Sequence, residues 1–167
     1  MPQHNDGIMK SLDEILKMGD PSEYLYEYAE ENRRLKPKWE ELLLLLGDPH
    51  WLYLYTKNII KGRWLEAEEY IKKSPARAYW YIKDVIKDRL EEAEETIKKD
   101  PYWAYWYARN IIKGRWGEAE EIIKKDSEHA YWYARYVIKD RWPEAEEYIK
   151  KGKFWWQSYY KHFNIKE

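Results

Sequence analysis

The chain has 167 residues, enough for one domain with a substantial core, and it contains no cysteine, which excludes disulfides and thiolate metal sites. Its 30 basic and 31 acidic side chains nearly cancel, so a net charge of −1 provides no general attraction to nucleic acids or anionic membranes. The longest apolar run, Leu42 to Leu46, is far shorter than a membrane span, and the N-terminus lacks a signal-peptide pattern, so we expect a cytoplasmic protein with no membrane partner.

Residues 1–48 are predicted to form an N-terminal cap and a degenerate unit. Residues 7–19 have the apolar spacing of an amphipathic helix whose inward face carries Ile8, Leu12, Ile15 and Leu16. A looser helix pair begins at Pro21, with its second helix at 36–47. Because a terminal unit has no neighbour on one side, we expect this region to cover the first end of a repeat array.

Four copies of a 26-residue unit follow, at 49–74, 75–100, 101–126 and 127–152, and a half unit occupies 153–167. The third copy contains AYWYARNIIKGRWGEAEEIIKKD, and the fourth contains AYWYARYVIKDRWPEAEEYIKKG. Self-similarity at a fixed period indicates a stacked array in which each unit buries its neighbour's apolar face. The sequence therefore predicts an all-α, right-handed α-solenoid of two-helix units, forming a single repeat domain over 1–167.

The first helix of each unit is predicted to begin at a capping residue followed by proline, as at Asp48-Pro49, Ser74-Pro75 and Asp100-Pro101. Apolar residues then recur at the spacing of one helical face. In the third unit they are Ala104, Tyr105, Ala108, Ile111 and Ile112. We expect the helix to end at a residue in the left-handed conformation. This residue is glycine in units 1 and 3 (Gly62 and Gly114) and aspartate in units 2 and 4 (Asp88 and Asp140).

The second helix follows at once. Its apolar positions in the third unit are Trp116, Ala119, Ile122 and Ile123. Glu120 with Lys124 and Glu121 with Lys125 have the spacing of ion pairs along a helix. Helices of roughly 10–13 residues are marginal in water, so stacking has to stabilise both.

Small residues at the centre of each apolar face favour close packing of the helices. They occur at two sites in the unit: Ala108 and Ala134 in the first helix, and Ala67, Ala93, Ala119 and Ala145 in the second. The half unit instead carries large aromatic residues, Trp156, Tyr160 and Phe163, at the matching apolar positions. We expect these rings to cover the second end of the array.

The turn GRWGEA, from Gly114 to Ala119, resembles the turn of tetratricopeptide and Sel1-like repeats: glycine, an aromatic residue two places later and alanine three places after that. The resemblance covers 49–152 and implies a helical repeat fold, although those families use longer units. The segment IKDRWPEAEEYIKK is also similar to R-W-P-E-A-E repeats of phage and environmental proteins, a family that implies a fold and no chemistry. The cysteine-free, Glu- and Lys-rich copies would also suit a designed or redesigned sequence.

The sequence offers no catalytic or metal motif. The four histidines, His4, His50, His129 and His162, have no metal-ligand spacing, and we interpret them as surface or packing residues. The unit's invariant arginine, at Arg63, Arg89, Arg115 and Arg141, is predicted to satisfy the end of the first helix and to pair with a glutamate such as Glu118 or Glu144. We therefore expect no enzyme activity and no cofactor.

A periodic set of aromatic and basic residues is the candidate binding surface. Trp80, Trp106 and Trp132 stand at the sixth position of their units, opposite the alanine-rich face. Lys83, Arg109 and Arg135 follow three residues later, and Lys87, Lys113 and Lys139 follow four residues after those. Helical spacing would place each tryptophan and its two bases on one side, and stacking would line them into a ladder.

Three interpretations of this ladder stay open: rings packed between neighbouring first helices, a groove that anchors a protein or peptide, and a platform for single-stranded nucleic acid. The balanced charge disfavours the last. From these observations the sequence predicts a monomeric, non-enzymatic helical repeat scaffold of a structural or designed kind. The alternative is a protein- or peptide-binding module that uses the ladder.

Overall fold

The computed structural model describes residues 36–165, and every element in that range is helical. One helix, α1 (Lys36–Leu46), precedes four two-helix units, and α10 (Lys153–His162) follows them. The all-α solenoid predicted from the sequence is confirmed. The predicted first helix of the cap, with Ile8, Leu12, Ile15 and Leu16, and the looser unit's start at Pro21 lie outside the described residues.

Each first helix is α-helical for seven residues and then continues as a π-helix for five. The α-helical parts are α2 (Pro49–Tyr55), α4 (Pro75–Tyr81), α6 (Pro101–Tyr107) and α8 (Ser127–Tyr133). The π-helices are Thr56–Ile60, Ile82–Ile86, Ala108–Ile112 and Ala134–Ile138. The second helices are α3 (Leu65–Ile71), α5 (Glu91–Ile97), α7 (Gly117–Ile123) and α9 (Pro143–Ile149). At seven residues each, the second helices are shorter than predicted.

The first helices begin where the sequence predicts. The Asp48 carboxylate accepts hydrogen bonds from the backbone N–H groups of His50 at 2.8 Å and Trp51 at 3.1 Å. Ser74 and Asp100 accept equivalent bonds in the next two units. These side chains satisfy N–H groups that have no partner within the helix, and a proline at the first helical position needs none. Helix starts are therefore encoded locally.

The prediction for the end of the first helix is wrong by one residue. The left-handed residues are Lys61, Lys87, Lys113 and Lys139, with φ between 56° and 62°. Gly62, Gly114, Asp88 and Asp140 come directly after them. The π-helix accounts for the shift, because its wider turn closes five residues back: the Lys139 N–H donates to the Ala134 carbonyl at 2.7 Å. The chain therefore changes direction at the lysine, one residue before the glycine or aspartate at which the sequence predicted the end of the helix.

The core runs along the seam where first helices stack on first helices of neighbouring units, while each second helix packs against its own first helix and the next unit's. The alanines predicted to lie at the packing centre are fully buried, Ala108 and Ala119 among them. Ile111 and Ile112, predicted on the same face, are only half-buried and lie at the C-terminal end of the π-helix.

The aromatic rings of the half unit pack on one another, and Trp155 packs on unit 4, with its ring 5.9 Å from that of Tyr131. Trp156 stacks on Tyr159 at a centroid distance of 5.7 Å, and Phe163 lies 4.7 Å from the same ring. Trp156, Tyr160 and Phe163 are half-buried, whereas Phe154 is 66% exposed. Within residues 36–165, no helix has both the length and the apolar character needed to cross a bilayer.

Candidate functional site

A polar cluster recurs at the junction between each unit and the next. In unit 3, the Arg115 Nε and Nη2 groups donate to the two carboxylate oxygens of Glu120 at 2.8 and 2.7 Å. The Tyr133 hydroxyl of unit 4 donates to Glu120 at 3.0 Å and accepts a bond from the Trp116 N–H at 2.6 Å. One tyrosine thus links the carboxylate and the backbone of the preceding unit.

Three further copies share this arrangement of arginine, glutamate and the next unit's tyrosine: Arg63–Glu68–Tyr81, Arg89–Glu94–Tyr107 and Arg141–Glu146–Tyr159. The predicted partners of arginine, Glu118 and Glu144, are wrong. They precede the actual partners by two residues and are exposed, because that position of the second helix faces solvent.

The predicted lysine pairs need the same kind of correction. Glu120 is held by Arg115 and not by Lys124, and Lys124 instead pairs with Glu121, three residues before it, at 2.5 Å. The equivalent contacts in the other units have the same spacing: Lys72–Glu69, Lys98–Glu95 and Lys150–Glu147. Because Glu120 turns toward the arginine and the core, its neighbour Glu121 is left as the lysine's partner.

The protonation of this cluster suits structural bonding. Burial raises the pKa of the Tyr133 hydroxyl, and the Glu120 carboxylate raises it further. Burial also acts to raise the pKa of Glu120, but hydrogen bonds from Arg115 and Tyr133 outweigh it and leave the pKa below its usual value. The phenol therefore stays a neutral donor and the carboxylate stays ionised, so neither is tuned for proton transfer near neutral pH.

Each tryptophan of the ladder contacts the first of its two basic residues, as predicted. Trp80, Trp106 and Trp132 are half-buried. The Lys83 ammonium lies 4.6 Å from the Trp80 ring centroid, and the Arg109 guanidinium lies 5.3 Å from that of Trp106. Arg135 lies 5.9 Å from the Trp132 centroid. Each tryptophan face is therefore covered by a cation from its own helix, an interaction worth about 0.5–1 kcal/mol at exposed sites.

The second set of bases does not join the ladder. Lys87, Lys113 and Lys139 take the left-handed conformation after the π-helix, which directs the chain away from the tryptophan face. Lys87 and Lys113 line a separate open concavity of about 440 Å³ together with Lys83. The predicted grouping of one tryptophan with two bases is thus wrong for the later lysine.

Neighbouring units meet the ladder through the third residue of the following first helix. The Trp80 ring meets Trp103 edge to face at 6.4 Å, and Trp132 meets Trp155 in the same way at 5.6 Å. At the interface between units 3 and 4 the third residue is His129. The ring contacts of Trp106 are with Tyr102 and Tyr105 of its own helix. The ladder is therefore packed at two interfaces and opens at the one between them.

An open groove of about 380 Å³ lies at this gap; we call it the Trp106–Trp132 groove. Its aromatic walls are Tyr102, Tyr105, Trp106, Trp132 and Tyr136. Arg109, Glu128 and His129 supply the polar side chains. The exchange of an indole for the smaller imidazole leaves a concave, mostly aromatic surface of the kind that anchors ligands.

The described histidines occupy packing or surface positions, as expected. His50 is half-buried against Trp51, and burial, assisted by the Arg77 charge, lowers its pKa. The His129 Nδ1 lies 2.7 Å from the Asp126 carboxylate, and His162 is exposed. His4 lies outside the described residues. In the part of the chain that the structure describes, no three metal-ligating side chains cluster.

Two features of the interfaces were missed by sequence reasoning. The tyrosine at the seventh position of every unit, Tyr133 in unit 4, is fully buried, and the carboxylate that it contacts lies 13 residues earlier in the chain. The sequence does contain a signal for both features, because the tyrosine and the glutamate repeat without change in all four copies.

Comparison of the chain with family models, with curated proteins and with solved structures finds no match.

Proposed function

We propose that the chain is a non-enzymatic helical repeat scaffold. The observation that carries the proposal is the Arg–Glu–Tyr cluster, which occurs four times with the same partners and connects one unit to the next each time. Catalytic sites bring different groups together around a substrate, with a base or acid whose pKa is near the working pH. Here the buried polar groups bond one another, and their role is to hold neighbouring units together.

Substitution of Glu94 and of Glu120 by glutamine, one at a time, tests this proposal. Each change removes a charge that accepts bonds from an arginine and a buried tyrosine, so the unfolding midpoint in urea should fall. The same proteins are assayed against a panel of ester, phosphoester and peptide substrates, with no turnover expected. Turnover by the parent chain that both substitutions abolish, with unchanged unfolding, would overturn the proposal.

A second candidate function is the binding of a peptide or protein segment by the first-helix surface. The specific observation in its favour is the Trp106–Trp132 groove, where the stacking that covers the ladder at both flanking interfaces is interrupted. Exposed tryptophan, tyrosine and arginine are the residues that most often anchor protein interfaces. Trp80 and Trp132 each pack against an indole of the following unit, so the candidate site is confined to the Trp106–Trp132 groove.

Selection of binders from a displayed peptide library tests the second candidate. Binding that is lost in Trp106→Gln and kept in Trp80→Gln would support a site in the groove, because Trp80 is covered by Trp103. The unfolding midpoint of Trp106→Gln, measured alongside, separates loss of binding from loss of folding. Failure to recover any peptide that Trp106→Gln rejects would remove this candidate.

The family relationship is also a proposal. The turn from Gly114 to Ala119 supports kinship with tetratricopeptide and Sel1-like repeats, and the R-W-P-E-A-E segment of unit 4 supports kinship with the phage and environmental repeats. The 26-residue period is shorter than that of the first group. A designed or redesigned origin is supported by the cysteine-free, Glu- and Lys-rich character of the copies.

A further inference from the structure

The groove between Trp106 and Trp132 is the one place along the described ladder where two contacts made at other interfaces are both missing. The first is the indole supplied by the third residue of the following unit. Trp103 fills this place between units 2 and 3, where it lies 5.3 Å from Tyr79 and 6.4 Å from Trp80. His129 stands at that position in unit 4, and its smaller ring lies 6.1 Å from Tyr105.

The second missing contact is a polar group supplied by the tenth residue of the following unit. At the first interface Asp84 accepts a hydrogen bond from the Tyr53 hydroxyl at 2.6 Å and pairs with Lys57 at 2.7 Å. At the second, the Asn110 amide donates to the Tyr79 hydroxyl at 2.7 Å. At the third interface this position is Tyr136, which brings an aromatic face and no carboxylate.

The cation that would pair with such a carboxylate is still present. Arg109 occupies the same place in unit 3 as Lys57 in unit 1, and its guanidinium lies 4.4 Å from the centre of the Tyr136 ring. Among the described residues its hydrogen bond is a single one, from Nη1 to the Tyr105 hydroxyl at 2.7 Å, and it forms no ion pair. A guanidinium has five N–H donors, so most of those of Arg109 are available to a ligand.

We propose that the Trp106–Trp132 groove binds a peptide segment of a partner protein in which an aromatic side chain is followed, two residues later, by a carboxylate. The ring takes the place that Trp103 fills elsewhere, and the carboxylate pairs with Arg109 as Asp84 pairs with Lys57. This inference rests on the second candidate function.

The spacing follows from the helix that supplies both groups at other interfaces. Its third and tenth residues are seven apart, about 10 Å along the axis. In an extended peptide, residues two apart point to the same side and lie about 7 Å apart, and a glutamate side chain spans the rest. The Glu128 carboxylate of the same groove is engaged by the Trp132 indole N–H, which donates to it at 3.4 Å.

The test uses acetyl-Trp-Val-Glu-amide and, as controls, the same peptide with glutamine for glutamate or leucine for tryptophan. Binding to the full chain is followed by the NMR signals of the Trp106 and Trp132 indole N–H groups. We expect saturable shifts with the first peptide and about tenfold weaker binding with the glutamine peptide, because a charge-assisted contact is lost. Binding of the leucine peptide should not be detected.

Two substitutions restore the contacts that other interfaces possess. His129→Trp supplies the internal indole and should abolish peptide binding while raising the unfolding midpoint. Tyr136→Asp supplies the internal carboxylate and should remove the preference for glutamate over glutamine. Tyr136→Phe, which keeps the ring and adds no carboxylate, should retain the preference for glutamate over glutamine.

Absence of shifts with the first peptide, equal binding of the glutamine peptide, or binding that survives His129→Trp would each overturn the inference. The library selection separates this failure from that of the second candidate function. Binders that require Trp106 but lack the aromatic and acidic pair would leave peptide binding standing and the present inference wrong.

Discussion

Replacement of Tyr133 by phenylalanine removes one oxygen atom from the interface between units 3 and 4. The ring is fully buried, and its hydroxyl accepts a hydrogen bond from the backbone N–H of Trp116 and donates one to Glu120. Without it, a buried N–H group has no acceptor, which costs about 1–3 kcal/mol. Glu120 keeps both bonds from Arg115, so the loss on that side is smaller. We expect the free energy of unfolding to fall by about 2 kcal/mol.

Urea unfolding followed by circular dichroism measures this change, and a thermal melt should show the midpoint lowered by roughly 4–8 °C, since 1 kcal/mol corresponds to about 2–4 °C in a chain of this size. The matched control is Tyr136→Phe, the same chemical change in the same unit. The Tyr136 ring is half-buried, and its hydroxyl forms no hydrogen bond to another described residue. The control should change stability by less than about 0.5 kcal/mol.

Equally small effects of the two substitutions would refute the reasoning, because they would show that the hydrogen bonds of the buried Tyr133 hydroxyl add no stability. A stable Tyr133→Phe protein would lead to the same conclusion. A large fall in both proteins would instead assign the effect to an aromatic hydroxyl at the surface of the first helix, which the structure does not support.

Three further predictions concern the helix end, the ladder and alkaline pH. Lys113→Gly should raise the free energy of unfolding by about 0.5–1 kcal/mol, because relief of left-handed strain exceeds the entropy that glycine adds to the unfolded chain. Trp132→Gln should cost about 0.5–1.5 kcal/mol more than Trp106→Gln, since only Trp132 meets an indole of the next unit. Burial and the Glu146 carboxylate raise the pKa of Tyr159 to about 12, so stability that is complete below pH ~10 should be lost as the pH rises toward about 12. Urea midpoints measure all three.

Each of these has an outcome that would contradict it. Gly114→Ala is the control for the helix end: the added methyl group meets nothing within 4 Å, so it should be tolerated, and a large loss there with no gain in Lys113→Gly would restore the left-handed role to the glycine. Equal losses for the two tryptophans would mean that the Trp132–Trp155 contact adds nothing. A midpoint that stays constant up to pH ~12 would show that the buried tyrosines ionise without cost.

Much of the fold was predictable because its signals are local. The helix starts depend on a capping side chain within three residues, as at Asp100 with the Trp103 N–H. Burial of the alanines depends on helical spacing, and Ala108 and Ala119 are buried as predicted. The stacked array itself follows from the period, which needs no knowledge of contacts.

The remaining features depend on geometry that a regular helical wheel does not contain. A π-helix adds a residue to the turn, and this moves the left-handed position from Gly114 to Lys113. The partner of Arg115 is set by which glutamate faces the seam, a question of rotation about a short helix and not of distance along the chain. The groove could be anticipated only by noticing that His129 stands where unit 3 carries Trp103 and the half unit carries Trp155.

The Arg–Glu–Tyr cluster has a direction. In each copy the carboxylate belongs to one unit, and the hydroxyl that completes it arrives 13 residues later, in the next. A unit without a successor therefore keeps its Arg–Glu pair, which lies within the unit, and lacks the hydroxyl that would bond the carboxylate and the backbone N–H group. Each added unit thus completes the polar cluster of the unit before it, and Tyr159 of the half unit does so for unit 4.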